Sequence, residues 1–188
     1  MSSVATLRHR FLTKQAAPAA PDAPPFDASA PPTDGGEGLV DVLSQLLAHL
    51  RAMHLWMHGA HHVSKGPTFA GDHVLILNRI YDEIQEQVDL LAEKGIGLTG
   101  DDTLGSPQRI MAAAMPVLSG FPEVSSLQQE ALMRAAFEIE QTFIAVLERQ
   151  FHSLEQSGQL SLGLNNFLAG IADTHEGYLY FLRQRTAQ

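Results

Sequence analysis

Six of the nine histidines in this chain crowd one stretch, and they are the residues most able to do chemistry. His49, His54, His58, His61 and His62 fall within fourteen positions, and His73 follows. Neutral imidazole ligates iron, zinc, copper and nickel without needing sulfur beside it. Steps of four and three put His54, His58 and His61 on one face of a helix. Further along, Asp82, Glu86, Asp89 and Glu93 recur at steps of four, three and four, which again is one helical stripe. Few cations answer these acids. Carboxylates lined up in this way repel by roughly a few tenths of a kcal/mol per pair, a penalty that a bound cation would remove. The plainer alternative is a solvated acidic face beside a hydrogen-bonded histidine stripe.

Several other chemistries are absent. There is no cysteine, so thiolate metal sites, disulfides and cysteine nucleophiles are excluded together. Di-iron centres inside a single bundle use Glu-x-x-His pairs, and the chain has none; Glu148 and His152 are four apart, not three. The His-Glu-x-x-His signature of zinc proteases is missing too.

The elements that must position these residues read as helices. Residues 1–37 form a tail, because Ala16 to Asp34 is mostly Ala, Pro and Asp and cannot bury a core. The folded domain is 38–188. A first helix is expected from about Leu39 to Val63, with Leu43, Leu46, Leu47, Leu50 and Met57 on its buried face and Lys65-Gly66-Pro67 stopping it. A second runs from about Gly71 to Lys94, burying Val74, Leu77, Ile80, Tyr81, Ile84, Val88 and Leu91, and ends at Gly95 and Gly97. Ser106-Pro107 opens a short helix reaching about Val117. A third long helix spans about Ser126 to Gln156, with Ser126 and Gln129 spaced as a capping box. The last spans about Leu164 to Gln184. No strand run or repeat is evident, so the expectation is an all-α four-helix bundle with a short helix in the connection between the second and third helices.

A formal charge of -9, from 12 basic and 21 acidic residues, argues against binding nucleic acid through the whole surface and suits attraction of cations. No apolar run approaches the roughly 20 residues of a membrane span. Arg8, Arg10 and Lys14 are not followed by the apolar stretch of a secretory signal. A cytoplasmic location is the expectation.

The stretch His58-Gly-Ala-His61-His62-Val-Ser-Lys-Gly66-Pro67-Thr-Phe69-Ala-Gly-Asp72-His73 resembles the segment His-x-x-His-Trp-x-x-x-Gly-x-x-Phe-x-x-x-His of Dps proteins, the mini-ferritins. Tyr81 and Asp89-Leu-Leu-Ala-Glu93-Lys resemble that family's Asp-x-x-Ala-Glu-Arg region, and Asn166 through His175-Glu176 to Arg183 is similar to its final helix. The resemblance covers about residues 39–185. It implies a ferritin-like bundle assembled into a hollow twelve-subunit shell. It also implies an iron site between subunits, two histidines facing an Asp and a Glu of the neighbour, which correspond here to His61, His73, Asp89 and Glu93. Zinc suits the same ligands.

Three departures bear on that site. The family's tryptophan is His62, which adds a candidate ligand beside His58. An acid usual after the second histidine is missing, with Leu77 and Asn78 nearest. His73 and Asp89 are sixteen residues apart, one more than the pattern. At about 100° per residue, sixteen steps put them on nearly opposite faces, and fifteen bring them within about 60°. Either a one-residue π-bulge in the second helix absorbs the difference, the reading we favour, or the extra residue lies in the connection, His62 replaces His61 and Asp72 joins the site. Three functions stand open: Fe(II) oxidation by peroxide or oxygen with mineral storage, DNA coating with weak binding through the tail, or an inert shell.

Overall fold

The computed structural model describes residues 38–187. The expected tail, with its three cations, lies outside them. Helix α1 (Leu39–Val63) is followed by a π-helical turn (Gly71–Leu77) running directly into α2 (Asn78–Thr99). Then come α3 (Pro107–Ser119), α4 (Gln129–Gln156) and α5 (Leu162–Thr186), with short 3-10 turns before α3 and before α4. No strand occurs among the described residues. Four long helices, α1, α2, α4 and α5, make the bundle, and α3 packs on α1 from the middle connection.

The periodicity of α1 accounts for its packing. Leu43, Leu46, Leu47, Leu50, Met53 and Met57 are all buried and meet Ile80, Ile84, Val88 and Leu91 of α2 in one core with Phe143 of α4 and Tyr178 of α5. Each such side chain contributes about 1.5–3 kcal/mol on leaving water. One polar group interrupts this core. His175 Nδ1 lies 2.6 Å from Glu140 Oε2, and its Nε2 lies 2.8 Å from Gln87 Oε1, all buried, so α2, α4 and α5 are tied together at mid-bundle.

Three boundaries differ from expectation. The second helix does not stop at Gly95 and Gly97 but runs to Thr99 and is capped by Gly100 at φ 71°, the left-handed conformation that glycine adopts without strain. Gly95 is tolerated inside because Leu104 packs where a Cβ would stand, 2.8 Å from its Cδ1. Ser126 does not open the third long helix. It belongs to a 3-10 turn, its hydroxyl donating to Glu123 O, and α4 starts at Gln129. Ser161, accepting from Leu164 N, starts the last helix two residues early. The Ser106-Pro107 start is present as expected, with Ser106 Oγ accepting from Arg109 N. Val74 is a fourth difference, 54% exposed rather than buried. It sits in the π turn, which rotates the chain preceding α2 off that helix's apolar stripe. Among the described residues no helix is long and apolar enough to cross a membrane.

Candidate metal centre

The end of α1 and the π turn bring His61 and His73 together. Their rings stack at 3.7 Å between centroids, 19° from parallel. His61 Nδ1 donates to His73 O at 3.1 Å, and His73 Nδ1 donates to His61 O at 2.8 Å. A carbonyl oxygen can only accept, so Nδ1 carries a proton in both rings, and the neutral tautomer that these bonds select leaves the lone pair on Nε2. Metal-binding histidines are oriented in this way, with the second nitrogen donating to a carbonyl. Burial, together with the neighbouring His73, His62 and His58, pushes the His61 imidazole below its ordinary value despite the carbonyl bond, which favours the neutral, ligating form. Phe69 also stacks on His73, at 4.5 Å between ring centroids.

The local geometry has a cause in the sequence. Gly66 at φ 94° turns the chain after α1, and the next helix begins at once. Its first full turn is π-helical rather than α-helical, which absorbs one residue. One residue absorbed between His73 and Asp89 would leave fifteen effective steps, about 60° apart in place of nearly opposite faces.

Asp72, named above as a secondary ligand, is engaged elsewhere. Its side chain is 1% exposed; Arg185 Nε donates to Oδ1 at 2.7 Å, while Thr68, Gln129 and Arg185 Nη2 donate to Oδ2 at 2.8, 2.8 and 3.0 Å. Burial alone would raise this carboxyl, but the donors outweigh it and hold it below the usual range. A carboxylate so occupied is a structural anion rather than a free ligand. Gln129, expected in a capping box, instead bridges the end of α1 to the π turn through Lys65 N, Ser64 Oγ and Asp72.

The acidic stripe is exposed and uncompensated. Asp82, Glu86, Asp89 and Glu93 all face solvent, and none has a salt bridge among the described residues. Asp82 accepts from Asn78 and Asp89 from Gln85. His73 and Asp89 are separated by roughly 24 Å of helix at 1.5 Å per residue. Accordingly, no three His, Asp or Glu side chains of one chain converge on a metal position among the described residues. His58, His62 and Tyr81 pack beside the pair: Tyr81 lies 5.1 Å from His61 and 4.6 Å from His58, and His62 lies 5.4 Å from His61. The Arg185 clamp had no local signal, being 113 residues from Asp72. Glu140 could have been found, since it falls on the Leu132–Ala136–Phe143–Leu147 stripe where an acid must have a partner.

No protein-family model and no curated protein matches the sequence. Solved structures match over most of it. Dps from Staphylococcus aureus has a TM-score of 0.68 at 18% identity, covering 82% of this chain and 99% of that one. Dps from Mycobacterium smegmatis has 0.64 at 21%, covering 78% and 85%. Dps from Vibrio cholerae O1, described as a member of a broad superfamily of ferritin-like diiron-carboxylate proteins, has 0.62 at 18%, covering 78% and 87%. The chain therefore folds as a ferritin-like helical bundle. Within that class its fold is the one found in Dps proteins.

Proposed function

We propose that this protein is a ferroxidase and iron store: Fe(II), its substrate, is oxidised at sites shared between subunits and kept as ferric mineral inside a closed homo-oligomeric shell, a dodecamer by analogy with the resemblance above. The observation that carries the reading is the reciprocal His61–His73 pairing, which leaves the Nε2 atoms of two stacked rings free, with no third His, Asp or Glu ligand converging on them among the described residues. Two imidazoles are too few for iron, whose sites combine imidazole with carboxylate. The exposed Asp89 and Glu93, neither in a salt bridge among the described residues, are that missing half when offered by a second copy. Their two negative charges favour Fe(III) over Fe(II), so the site pulls the oxidation forward. Peroxide accepts one electron from each of two Fe(II) ions and leaves as hydroxide or water, and removing both reactants would protect the cell from hydroxyl radicals.

Stopped-flow absorbance of Fe(II) oxidation tests this. Glu93→Gln, isosteric but uncharged, and His73→Ala should each slow oxidation at least about tenfold, which is roughly 1.4 kcal/mol in barrier, with the oligomer intact. Wild-type rates in both variants would overturn the reading.

A further inference from the structure

Next to the His61–His73 pair stands a second imidazole pair that this reading leaves unused. His58 and His62 are one helical turn apart on α1, and their ring centroids are 4.4 Å from each other. Neither ring has a hydrogen-bond partner among the described residues, in contrast to His61 and His73, whose Nδ1 atoms are both bound. His62 is exposed and His58 half-buried, so both are reachable from solvent. Tyr81 packs against the His58 ring at 4.6 Å and limits its movement. The pair lies in the last turns of α1, where the helix dipole favours positive charge.

We propose that His58 and His62 form a distinct site for a divalent transition-metal ion of the zinc, copper or nickel kind. Side chains at i and i+4 are neighbours on a helix surface, so two imidazoles there can chelate one ion with little reordering. Imidazole without carboxylate or thiolate suits these three metals better than magnesium, calcium or manganese. His54, one turn further back, is not part of the site. Its Nδ1 faces the Arg51 guanidinium at 3.4 Å, and that cation repels a second one. The remaining coordination positions are open to water. The site does not depend on the ferroxidase reading, because it uses neither of that centre's histidines.

Zinc titration by calorimetry on the assembled full chain tests it, with Zn(II) alone as the probe. His58→Ala and His62→Ala should each lose one Zn(II) per chain or weaken that class of sites at least about tenfold, since losing even an outer-shell partner costs a metal site 10–100-fold. The His61→Ala/His73→Ala double variant should retain this class, and so should His54→Ala. Cu(II) bound to that double variant should show two imidazole nitrogens by electron paramagnetic resonance. Identical Zn(II) binding in wild type and in the His58 and His62 variants would overturn the proposal. So would loss of the class in the His61→Ala/His73→Ala or the His54→Ala protein. A ferroxidase failure would appear in oxidation rates and leave these isotherms unchanged.

Discussion

Replacing Arg185 by Met removes the cation that holds the π turn while keeping much of its aliphatic packing. In the native protein Arg185 reaches both oxygens of Asp72 and also pairs with Glu130 on α4, so the end of α5 is tied to the residue preceding His73. In the variant Asp72 keeps Thr68 and Gln129 as donors but becomes a buried carboxylate without a counter-charge. Breaking a buried pair costs about 3–5 kcal/mol. Arg185 is itself 16% exposed and two donors survive, so roughly 2–3 kcal/mol is expected once solvent screening is allowed for. For a domain of this size that is on the order of 4–12 °C in Tm. The pH dependence has a definite sign. A carboxyl held below its ordinary value contributes stability that is complete above that value and is lost as pH falls through the folded pKa. The unpaired Asp72 of the variant is shifted the other way, so the two proteins should differ most at neutral pH and converge as pH falls toward and below 3.8. Thermal unfolding followed by circular dichroism at fixed protein concentration measures both effects. Adding Asp72→Asn to Arg185→Met removes the orphan charge and should recover more than half of the loss. An unchanged Tm, a difference independent of pH, or no recovery in the double variant would refute the reasoning.

Other predictions follow from single features. Because no three candidate ligands converge among the described residues and the proposed site is completed by a second copy, size-exclusion chromatography with light scattering should show a large closed oligomer, and a stable monomer would defeat the shared-site model. Gly95→Ala should lower Tm, since its Cβ would meet Leu104 Cδ1 at 2.8 Å and Leu43 Cδ1 at 3.3 Å; overpacking costs about 1–3 kcal/mol against at most about 1 kcal/mol returned in helix propensity. A rise in Tm would contradict that packing. With a charge of -9 and only Arg8, Arg10 and Lys14 near the N-terminus, DNA binding should be weak and lost at physiological salt. Tight retention in a gel shift at moderate salt, abolished by deleting residues 1–14, would instead make DNA coating a function of the protein.

How much could be read without coordinates depended on whether the cause was local. Helix α1 was legible because Leu43, Leu46, Leu47, Leu50 and Met57 repeat at one period and Gly66-Pro67 follows them. A π turn was the favoured of two explanations for the sixteen-residue interval between His73 and Asp89, and the structure has one at Gly71–Leu77. The end of α2 was not. Gly95 looks like a stop but is a contact, and Leu104, which fills its place, lies beyond the helix. Asp72 looked like a ligand because it neighbours His73, and only the fold brings Arg185 to it. The mutual Nδ1–carbonyl bonds of His61 and His73 were likewise hidden, being set by backbone geometry at a helix end and a π turn. Residue types thus nominated the candidates, while the tertiary structure pairs His61 with His73 and engages Asp72 with Arg185.

Each oxidation site is proposed to draw histidines from one subunit and carboxylates from another, and mixed assemblies test this most directly. One parent protein carries His61→Ala and His73→Ala, the other Asp89→Asn and Glu93→Gln, and each assembled alone should oxidise Fe(II) at least about tenfold more slowly than wild type. Co-assembled in equal amounts, half of the two-fold pairs are mixed, and each mixed pair contains one whole site and one site lacking every ligand. The mixture should therefore recover about a quarter of the wild-type rate. If it stays as slow as its parents although mass spectrometry shows mixed shells, the ligands come from a single chain and the shared site is wrong.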